Sequence, residues 1–171
     1  MSDISSQGSD YQERLYTVYN LLSQLQEMAG EIPPQLQQRI SYELLASLAA
    51  SLSQGQILEI VKMLTEVQQA TEKHLFQQRL KFINKQKLEK QNIIVKNLPH
   101  RKIVAADARF KKELKQHDMK LVTQLDQKVS DQQVILERAG VPGFFVTNNP
   151  TEIQVQMHLL EFIVKIGNRV V

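Results

Sequence analysis

The 171-residue sequence has no cysteine and no tryptophan, and glycine, proline and aromatic residues are scarce. Without cysteine the chain can form neither disulfides nor thiolate zinc sites, and it has no cysteine nucleophile. The low aromatic content, 6%, argues against an all-β sandwich. No stretch approaches the ~18 uninterrupted apolar residues of a membrane span. The opening residues, MSDISSQGSD, form no apolar signal-peptide core, so we expect a nuclear and/or cytoplasmic protein that is not secreted.

Apolar residues and charge are both present in quantity, but charge is unevenly distributed. Hydrophobic residues make up 42% of the chain, which is enough to form a core. The net charge of +3 divides into −5 for residues 1–78, +9 for residues 79–120 and −1 for residues 121–171. The basic character therefore belongs to one middle segment.

The N-terminal third predicts a short helical pair. Residues 1–9 are expected to form a disordered leader, and the helical pair spans residues 10–54. Asp10 begins the first helix, which carries an apolar stripe at Leu15, Val18, Leu22 and Leu25. Gly30 and the Ile32-Pro33-Pro34 corner end it, and a second helix follows as far as Leu52.

Residues 55–139 predict one long antiparallel helical hairpin with its turn near residues 98–100. Neither glycine nor proline interrupts the segment between Gln56 and Leu98. After Pro99, two rows of residues repeat at intervals of 11: Phe110, Leu121 and Gln132, of which the first two are apolar, and the leucines Leu114, Leu125 and Leu136. Two helices of similar length favour a coiled-coil hairpin.

The C-terminal part predicts an extended loop followed by a last helix. Gly140 ends the hairpin, and residues 140–149 form a loop rich in Gly, Pro and Phe. Asn149 caps a helix in the C-terminal segment, residues 150–171, with Pro150 at its first position, Glu152 completing a capping box and Gly167 ending the helix. The predicted fold class is thus all-α: a short helical pair, a long hairpin and a C-terminal helix.

Patterns typical of catalysis or metal binding are missing from the sequence. The four histidines, His74, His100, His117 and His158, do not have metal-ligand spacing. The chain has no nucleophile elbow, phosphate loop or zinc motif. We therefore assign no catalytic, cofactor-binding or metal-binding residue, and we expect a protein that is not an enzyme.

The basic segment is the first candidate binding surface, called here the basic tip. Its residues are Lys81, Lys85, Lys87, Lys90, Lys96, Arg101, Lys102, Arg109, Lys111, Lys112 and Lys115. Such a concentration attracts an acidic protein, nucleic acid or an anionic membrane, or forms a solvated coiled-coil surface. It contains no compact recognition helix for reading bases.

Apolar residues supply the other candidates. In the loop, Phe144, Phe145 and Val146 form either a partner-docking edge or a cover for the helix ends. On the predicted seams, Ile57, Leu64, Val67, Leu121, Leu125 and Leu136 would hold the hairpin or a homodimer.

Two stretches resemble the DiGeorge-syndrome-critical-region-six and gonadal protein family. They are residues 37–79, QQRISYELLASLAASLSQGQILEIVKMLTEVQQATEKHLFQQR, and residues 125–163, in which LDQKVSDQQ and AGVPGFFVTNNP are the specific motifs. The gonadal branch looks nearer, because the chain lacks an extended C-terminal tail. The resemblance implies a small, non-enzymatic, helical protein linked to development, germ-line expression and a mainly nuclear location, and it carries no catalytic residues.

The sequence therefore predicts a helical scaffold or adaptor that acts through coiled-coil contacts in development or gametogenesis. Its expected partners are other proteins or a second copy of the chain, with an acidic protein expected at the basic tip. The alternative is a nucleic-acid-associated protein that grips phosphates without reading bases. Salt separates the two, because phosphate binding weakens steeply between ~50 and ~200 mM salt while apolar contacts persist.

Overall fold

Six α-helices form the fold in the computed structural model, which describes residues 3–169 and their side chains from residue 7 onward. They are α1 (Asp3–Ala29), α2 (Pro34–Gln37), α3 (Tyr42–Leu52), α4 (Gln56–Val95), α5 (His100–Arg138) and α6 (Pro150–Arg169). Within these residues there is no β-strand, and the all-α prediction is confirmed. The chain divides into a core unit, residues 3–65 with 130–169, and a hairpin unit, residues 66–129.

Helix α1 begins at Asp3, earlier than the Asp10 start that the capping pattern predicts. Residues 3–9 are therefore helical instead of forming a disordered leader, while residues 1 and 2 lie outside the described part. The side chains of residues 7–10 are exposed. This first part of the helix is polar, so only backbone hydrogen bonds within the helix stabilise it. Because it has no periodic apolar residues, the sequence pattern does not predict that it is helical.

The segment predicted as the second helix forms two helices, α2 and α3, which are separated by four non-helical residues. The Ser41 hydroxyl accepts a hydrogen bond from the backbone N–H of Leu44 at 3.1 Å and caps α3. At the end of α2, the Gln37 side-chain amide donates to the carbonyl oxygen of Ile32 at 2.7 Å and ties α2 to the corner that precedes it. Gly167 lies inside α6, which continues to Arg169.

A continuous hydrophobic core holds the core unit together. Helix α1 packs against α3 and α6, and α2 packs against α6. Leu25, Leu48 and Leu159, on these three longer helices, have no exposed surface. Burying a leucine stabilises the fold by about 1.5–3 kcal/mol, so the apolar stripes determine how the helices pack.

In the hairpin unit, α4 and α5 run antiparallel. The Arg79 guanidinium donates to the Asp118 carboxylate at 2.9 Å and 3.2 Å. The Gln86 side-chain amide donates to the carbonyl oxygen of Phe110 at 2.9 Å. In both pairs the partners lie at similar distances along the chain from the break between the helices, as an antiparallel register requires. The supercoil of a coiled coil stays a prediction.

The turn of the hairpin follows the signals in the sequence. Helix α4 ends at Val95, and Asn97 has φ of +53°, a conformation that asparagine adopts more readily than most residues. The carbonyl oxygen of Pro99 then accepts hydrogen bonds from the N–H groups of Lys102 and Ile103, which begins α5.

In the described residues, no single helix is long and apolar enough to cross a membrane. By length and composition alone, α3 and α4 meet the requirement only as a pair bent by 93°.

Candidate protein-binding surfaces

The titratable side chains are dispersed and serve local contacts. No group of three or more His, Asp or Glu side chains in the described chain could hold a metal ion. The His117 ring stacks on Phe82 with the ring centroids 4.3 Å apart. Glu161 pairs with Lys165 at 3.0 Å on the surface of α6. The carboxylate of Glu152 accepts from the Thr147 hydroxyl, so it supports the loop before α6.

All eleven residues of the basic tip are exposed. Arg109 approaches Glu113 at 3.6 Å and Glu89 at 4.0 Å. Arg109 and Lys90 also lie over the Phe110 ring, 5.1 Å and 5.3 Å from its centroid. Apart from Arg109, no basic-tip residue forms an ion pair within the described part of the chain. Most of this positive charge therefore faces solvent uncompensated.

Arg79, just before the basic tip, differs because it is paired across the hairpin. Its hydrogen bond with Asp118, together with the negative charge of that carboxylate, raises the pKa of the Arg79 guanidinium. The side chains are 41% and 37% exposed, so this ion pair fixes the hairpin register more than it stabilises the fold.

Two glycines determine the path of the loop between α5 and α6. Gly140 has φ of +76° and ends α5 with paired hydrogen bonds, from Gly140 N–H to Glu137 and from Val141 N–H to Leu136. Gly143 has φ of +87°, and a Cβ atom there would lie 2.8 Å from the Cδ1 atom of Leu159. A side chain at position 143 would therefore require either the Leu159 side chain or the loop to shift.

Two buried glutamines clamp the loop backbone on both sides of Val146. The Gln156 side-chain amide donates to the carbonyl oxygen of Phe145 at 3.0 Å. The side-chain oxygen of Gln133 accepts from the N–H of Thr147 at 3.2 Å, and its amide donates to Gln156 at 3.0 Å. Because Gln133 and Gln156 are themselves buried, losing either contact would leave polar groups without partners. The loop is thus rigidly attached to α5 and α6.

The clamped loop divides the predicted docking edge into buried and exposed residues. Phe144 is 5% exposed and belongs to the hydrophobic core, so its assignment to a docking edge is corrected to a core role. Phe145 and Val146 are 42% and 53% exposed. Phe144 fills the space over the helix ends, and the clamp turns the next two side chains outward. Phe144 thus covers the helix ends, and a docking edge formed by Phe145 and Val146 stays a prediction.

The seam candidates also differ in burial. Leu136 and Ile57 lie in the core of the core unit, where they cannot touch a partner, and Leu136 is thus corrected to a core residue. Leu121 is buried in the hairpin unit. Leu64 and Leu125 are half-buried. Val67 is 52% exposed and remains available to a partner.

Sequence reasoning missed the glutamine clamp and a set of exposed apolar residues on the hairpin. As polar residues in helices, Gln133 and Gln156 are expected on the helix surface. Only their contacts with the loop backbone show that they are buried. Phe76, Leu80, Met119 and Val122 are exposed although the hairpin seam runs beside them. Their spacings of four and three residues were a signal of a second apolar stripe on each helix.

The fold and these surfaces define a helical protein without a recognisable catalytic centre in the described residues. The chain belongs to the DiGeorge syndrome critical region 6 family, whose model matches residues 1–171. The resemblance stated from the sequence is therefore confirmed.

Two relatives support this assignment. Protein DGCR6 of Gallus gallus is 42% identical over 168 residues, covering 88% of this chain and 84% of the relative. Gonadal protein gdl of Drosophila melanogaster is 41% identical over 154 residues, covering 88% and 79%. These two identities do not separate the branches, so a nearer relation to the gonadal branch stays a prediction. No solved structure matches the chain.

Proposed function

We propose that this protein is a non-enzymatic helical adaptor that binds other proteins, in the nucleus and/or the cytoplasm, in development or gametogenesis. The observation that carries the proposal is the clamped loop, whose fixed backbone presents Phe145 and Val146 to solvent. The relative named gonadal protein and the family name support the developmental setting.

The clamp matters because binding with a rigid loop loses little conformational entropy. A flexible loop would have to be ordered when a partner binds, at a cost of about 0.5–1.5 kcal/mol for each immobilised side chain. Here the hydrogen bond that Gln133 accepts from Thr147 and the one that Gln156 donates to Phe145 already fix the backbone around Val146. Two exposed apolar side chains on a preorganised backbone are a common arrangement for a docking site.

The basic tip supplies a second surface, as an adaptor requires. Residues 79–120 carry a net charge of +9, and the basic-tip side chains are exposed. Charge of this density steers an acidic partner toward the surface and raises the association rate. We therefore propose an acidic protein as the partner at the basic tip. Nucleic acid is the competing occupant, and the experiment below separates the two.

The test is co-purification of the tagged full chain from its tissue, with and without nuclease, read by mass spectrometry. The adaptor predicts a discrete set of proteins that nuclease does not change. The variant Phe145→Asp/Val146→Asp should lose part of this set. The matched control is Tyr42→Asp, which changes another exposed side chain of the core unit and should retain the full set.

Two results would contradict the proposal. If nuclease removes the partners, the basic tip binds nucleic acid and the adaptor function is wrong. If the loop variant captures the same proteins as the control, Phe145 and Val146 are not a docking site. Circular dichroism of each variant verifies that the helices are intact.

A further inference from the structure

The two helices of the hairpin unit meet at a turn whose charged residues are all basic. Residues 90–106, called here the turn segment, contain Lys90, Lys96, Arg101 and Lys102 and neither aspartate nor glutamate, so their net charge is +4 with histidine neutral. The four cationic side chains are exposed, and none of them forms an ion pair within the described part of the chain. The turn segment is therefore a patch of uncompensated positive charge at one end of the hairpin.

Exposed aliphatic side chains lie among these cations. Val95 is 83% exposed, more than any other large apolar side chain that the structure describes. Ile94 is 66% exposed, and Val104, on the other helix, is 52% exposed. These three side chains do not contribute to the hairpin seam, so their apolar surface is available to a partner.

The backbone of the turn is hydrogen-bonded within the turn itself. The N–H groups of Lys96 and Asn97 donate to the carbonyl oxygens of Asn92 and Ile94 at 3.0 Å and 3.1 Å. The carbonyl oxygen of Pro99 accepts two N–H groups of α5, at 2.9 Å and 3.2 Å. A turn whose backbone groups are paired in this way enters an apolar medium at a lower cost than one whose groups need water.

We propose that the turn segment binds the surface of an anionic phospholipid bilayer. Ile94, Val95 and Val104 enter the boundary between headgroups and acyl chains, about 5–10 Å deep, as the apolar side chains of interfacial helices do. The lysine and arginine side chains keep their aliphatic stems in this boundary and place their charged ends on the anionic headgroups. The inference goes beyond the proposed adaptor function, because the clamped loop lies in the core unit and takes no part in this contact.

A bilayer fits the turn segment better than other anionic partners do. Ile94 and Val95 are neighbours on α4, so they point about 100° apart, and Val104 projects from α5. A folded protein would need a cavity shaped for all three directions, whereas lipid chains rearrange around a projecting end. Nucleic acid would leave the aliphatic side chains uncovered, and the turn segment has no Phe, Tyr or Trp on which bases could stack.

The lysines farther from the turn stay available to the acidic protein proposed for the basic tip. They are Lys81, Lys85, Lys111, Lys112 and Lys115. The membrane contact and the protein contact therefore use different parts of the hairpin unit, and either can fail without the other.

The test is sedimentation of the full chain with vesicles of phosphatidylcholine and phosphatidylserine in a ratio of about 7:3, compared with vesicles of phosphatidylcholine alone. The wild type should bind the anionic vesicles and should hardly bind the neutral ones. Ile94→Ser/Val95→Ser keeps the charge and should lower the partition coefficient by about tenfold or more. The matched control, Met119→Ser/Val122→Ser, removes two exposed apolar side chains toward the other end of the hairpin unit and should bind like the wild type.

The contribution of charge is measured with a second pair of variants. Lys96→Gln/Lys102→Gln should lower the partition coefficient by about fivefold for each charge removed, or about 25-fold in total. Lys111→Gln/Lys112→Gln removes the same charge farther from the turn and should lower the partition coefficient less. Equal losses would show that only the net charge of the hairpin matters, and they would overturn the assignment to the turn segment.

Insertion has a readout of its own because the chain has no tryptophan. Val95→Trp places a single indole in the turn segment. Its fluorescence should shift to shorter wavelength with anionic vesicles and should be quenched by lipids that carry bromine on their acyl chains. The control Val122→Trp should show neither change. Circular dichroism of each variant verifies that the helices are intact.

Three results would overturn the proposal: no binding to anionic vesicles, equal binding to neutral vesicles, or Val95→Trp fluorescence that vesicles leave unchanged. If poly-glutamate or duplex DNA changes this fluorescence while vesicles do not, the turn segment binds an acidic protein or nucleic acid and the proposal is wrong. Each of these results leaves partner capture by Phe145 and Val146 unchanged, so they are distinguishable from failure of the adaptor function.

Discussion

The core unit and the hairpin unit bury very different amounts of apolar surface although both consist of helices. In the core unit, α1, α3, α6 and the loop enclose a continuous core that includes Leu159 and Phe144. In the hairpin unit the buried apolar side chains are Leu75, Phe110 and Leu121. A pair of helices can bury one stripe each, whereas several helices can cover a stripe from more than one direction. The difference indicates that the core unit supplies most of the stability.

Buried polar groups follow the same division. In the core unit Gln133 and Gln156 fix a loop, whereas in the hairpin unit Gln86 binds the backbone of Phe110 and fixes the pairing of two helices. Each such contact disfavours any other position of the loop or of the paired helix, because moving either would leave a buried side-chain amide without a hydrogen-bond partner. The first contact determines which apolar side chains the loop presents, and the second determines which helix face stays outside.

The largest expected effect is the replacement of Leu159 by Asp in the core unit. An unpaired charge at this fully buried position should lower the free energy of unfolding by about 4–5 kcal/mol or more. Urea denaturation followed by circular dichroism measures the change. Met157→Asp, at an exposed position of the same helix, should change it by less than about 0.5 kcal/mol. Equal stability of the two variants would contradict the assigned core.

The next effect should be confined to the hairpin unit. Phe110→Ala removes a 1% exposed ring and should cost about 3–5 kcal/mol in local stability. Hydrogen exchange of hairpin amides should accelerate, while amides near Leu48 and Leu159 should be unchanged. Phe76→Ala, which deletes the same ring at an exposed position, should leave exchange in the monomer nearly as it is. Accelerated exchange throughout the chain would show that the two units do not differ in this way.

A third comparison measures how closely the loop approaches the core. Gly140→Ala should cost about 1–2 kcal/mol for the left-handed backbone alone, since nothing lies within 4 Å of the new Cβ atom. Gly143→Ala carries the same backbone cost and also presses on Leu159, so its destabilisation should exceed that of Gly140→Ala. Thermal denaturation of both variants gives the difference. Equal destabilisation would mean that the loop does not press on the core.

The smallest effect is expected for Arg79→Met, since a half-exposed ion pair is weakened by solvent and salt. The melting temperature should fall slightly at low salt and hardly at all at high salt. Arg101→Met, at an exposed arginine, is the control. Because the pKa of Arg79 is raised, the stabilisation that its positive charge provides is lost as pH rises through that pKa. The effect of the substitution should therefore not depend on arginine titration near neutral pH.

Local signals in the sequence predicted the helix boundaries well where strong breakers occur. Gly55 precedes α4, Pro99 precedes α5, and Asn149 caps α6 through its side-chain oxygen. The break before α3 was missed, because Leu36, Ile40 and Leu44 continue the apolar period across it. Ser41 supplied a capping signal, but a serine inside a periodic run is ambiguous.

Tertiary contacts explain the rest of the differences. The sequence offered Phe144, Phe145 and Val146 as one apolar group, and only the packing of Phe144 on the core separates them. The pairing of Arg79 with Asp118 follows from the antiparallel register and could have been anticipated from the turn at Pro99. The clamp by Gln133 could not have been anticipated, because no feature of the neighbouring sequence distinguishes a buried glutamine from an exposed one.

The most direct test of the division between a stable core unit and a hairpin unit with few buried apolar side chains is hydrogen exchange of the wild-type chain. The account predicts slow exchange of the amides in α3 and α6 and faster exchange of the amides in residues 66–129. Equal protection of the two units, or slower exchange in the hairpin unit, would contradict the account.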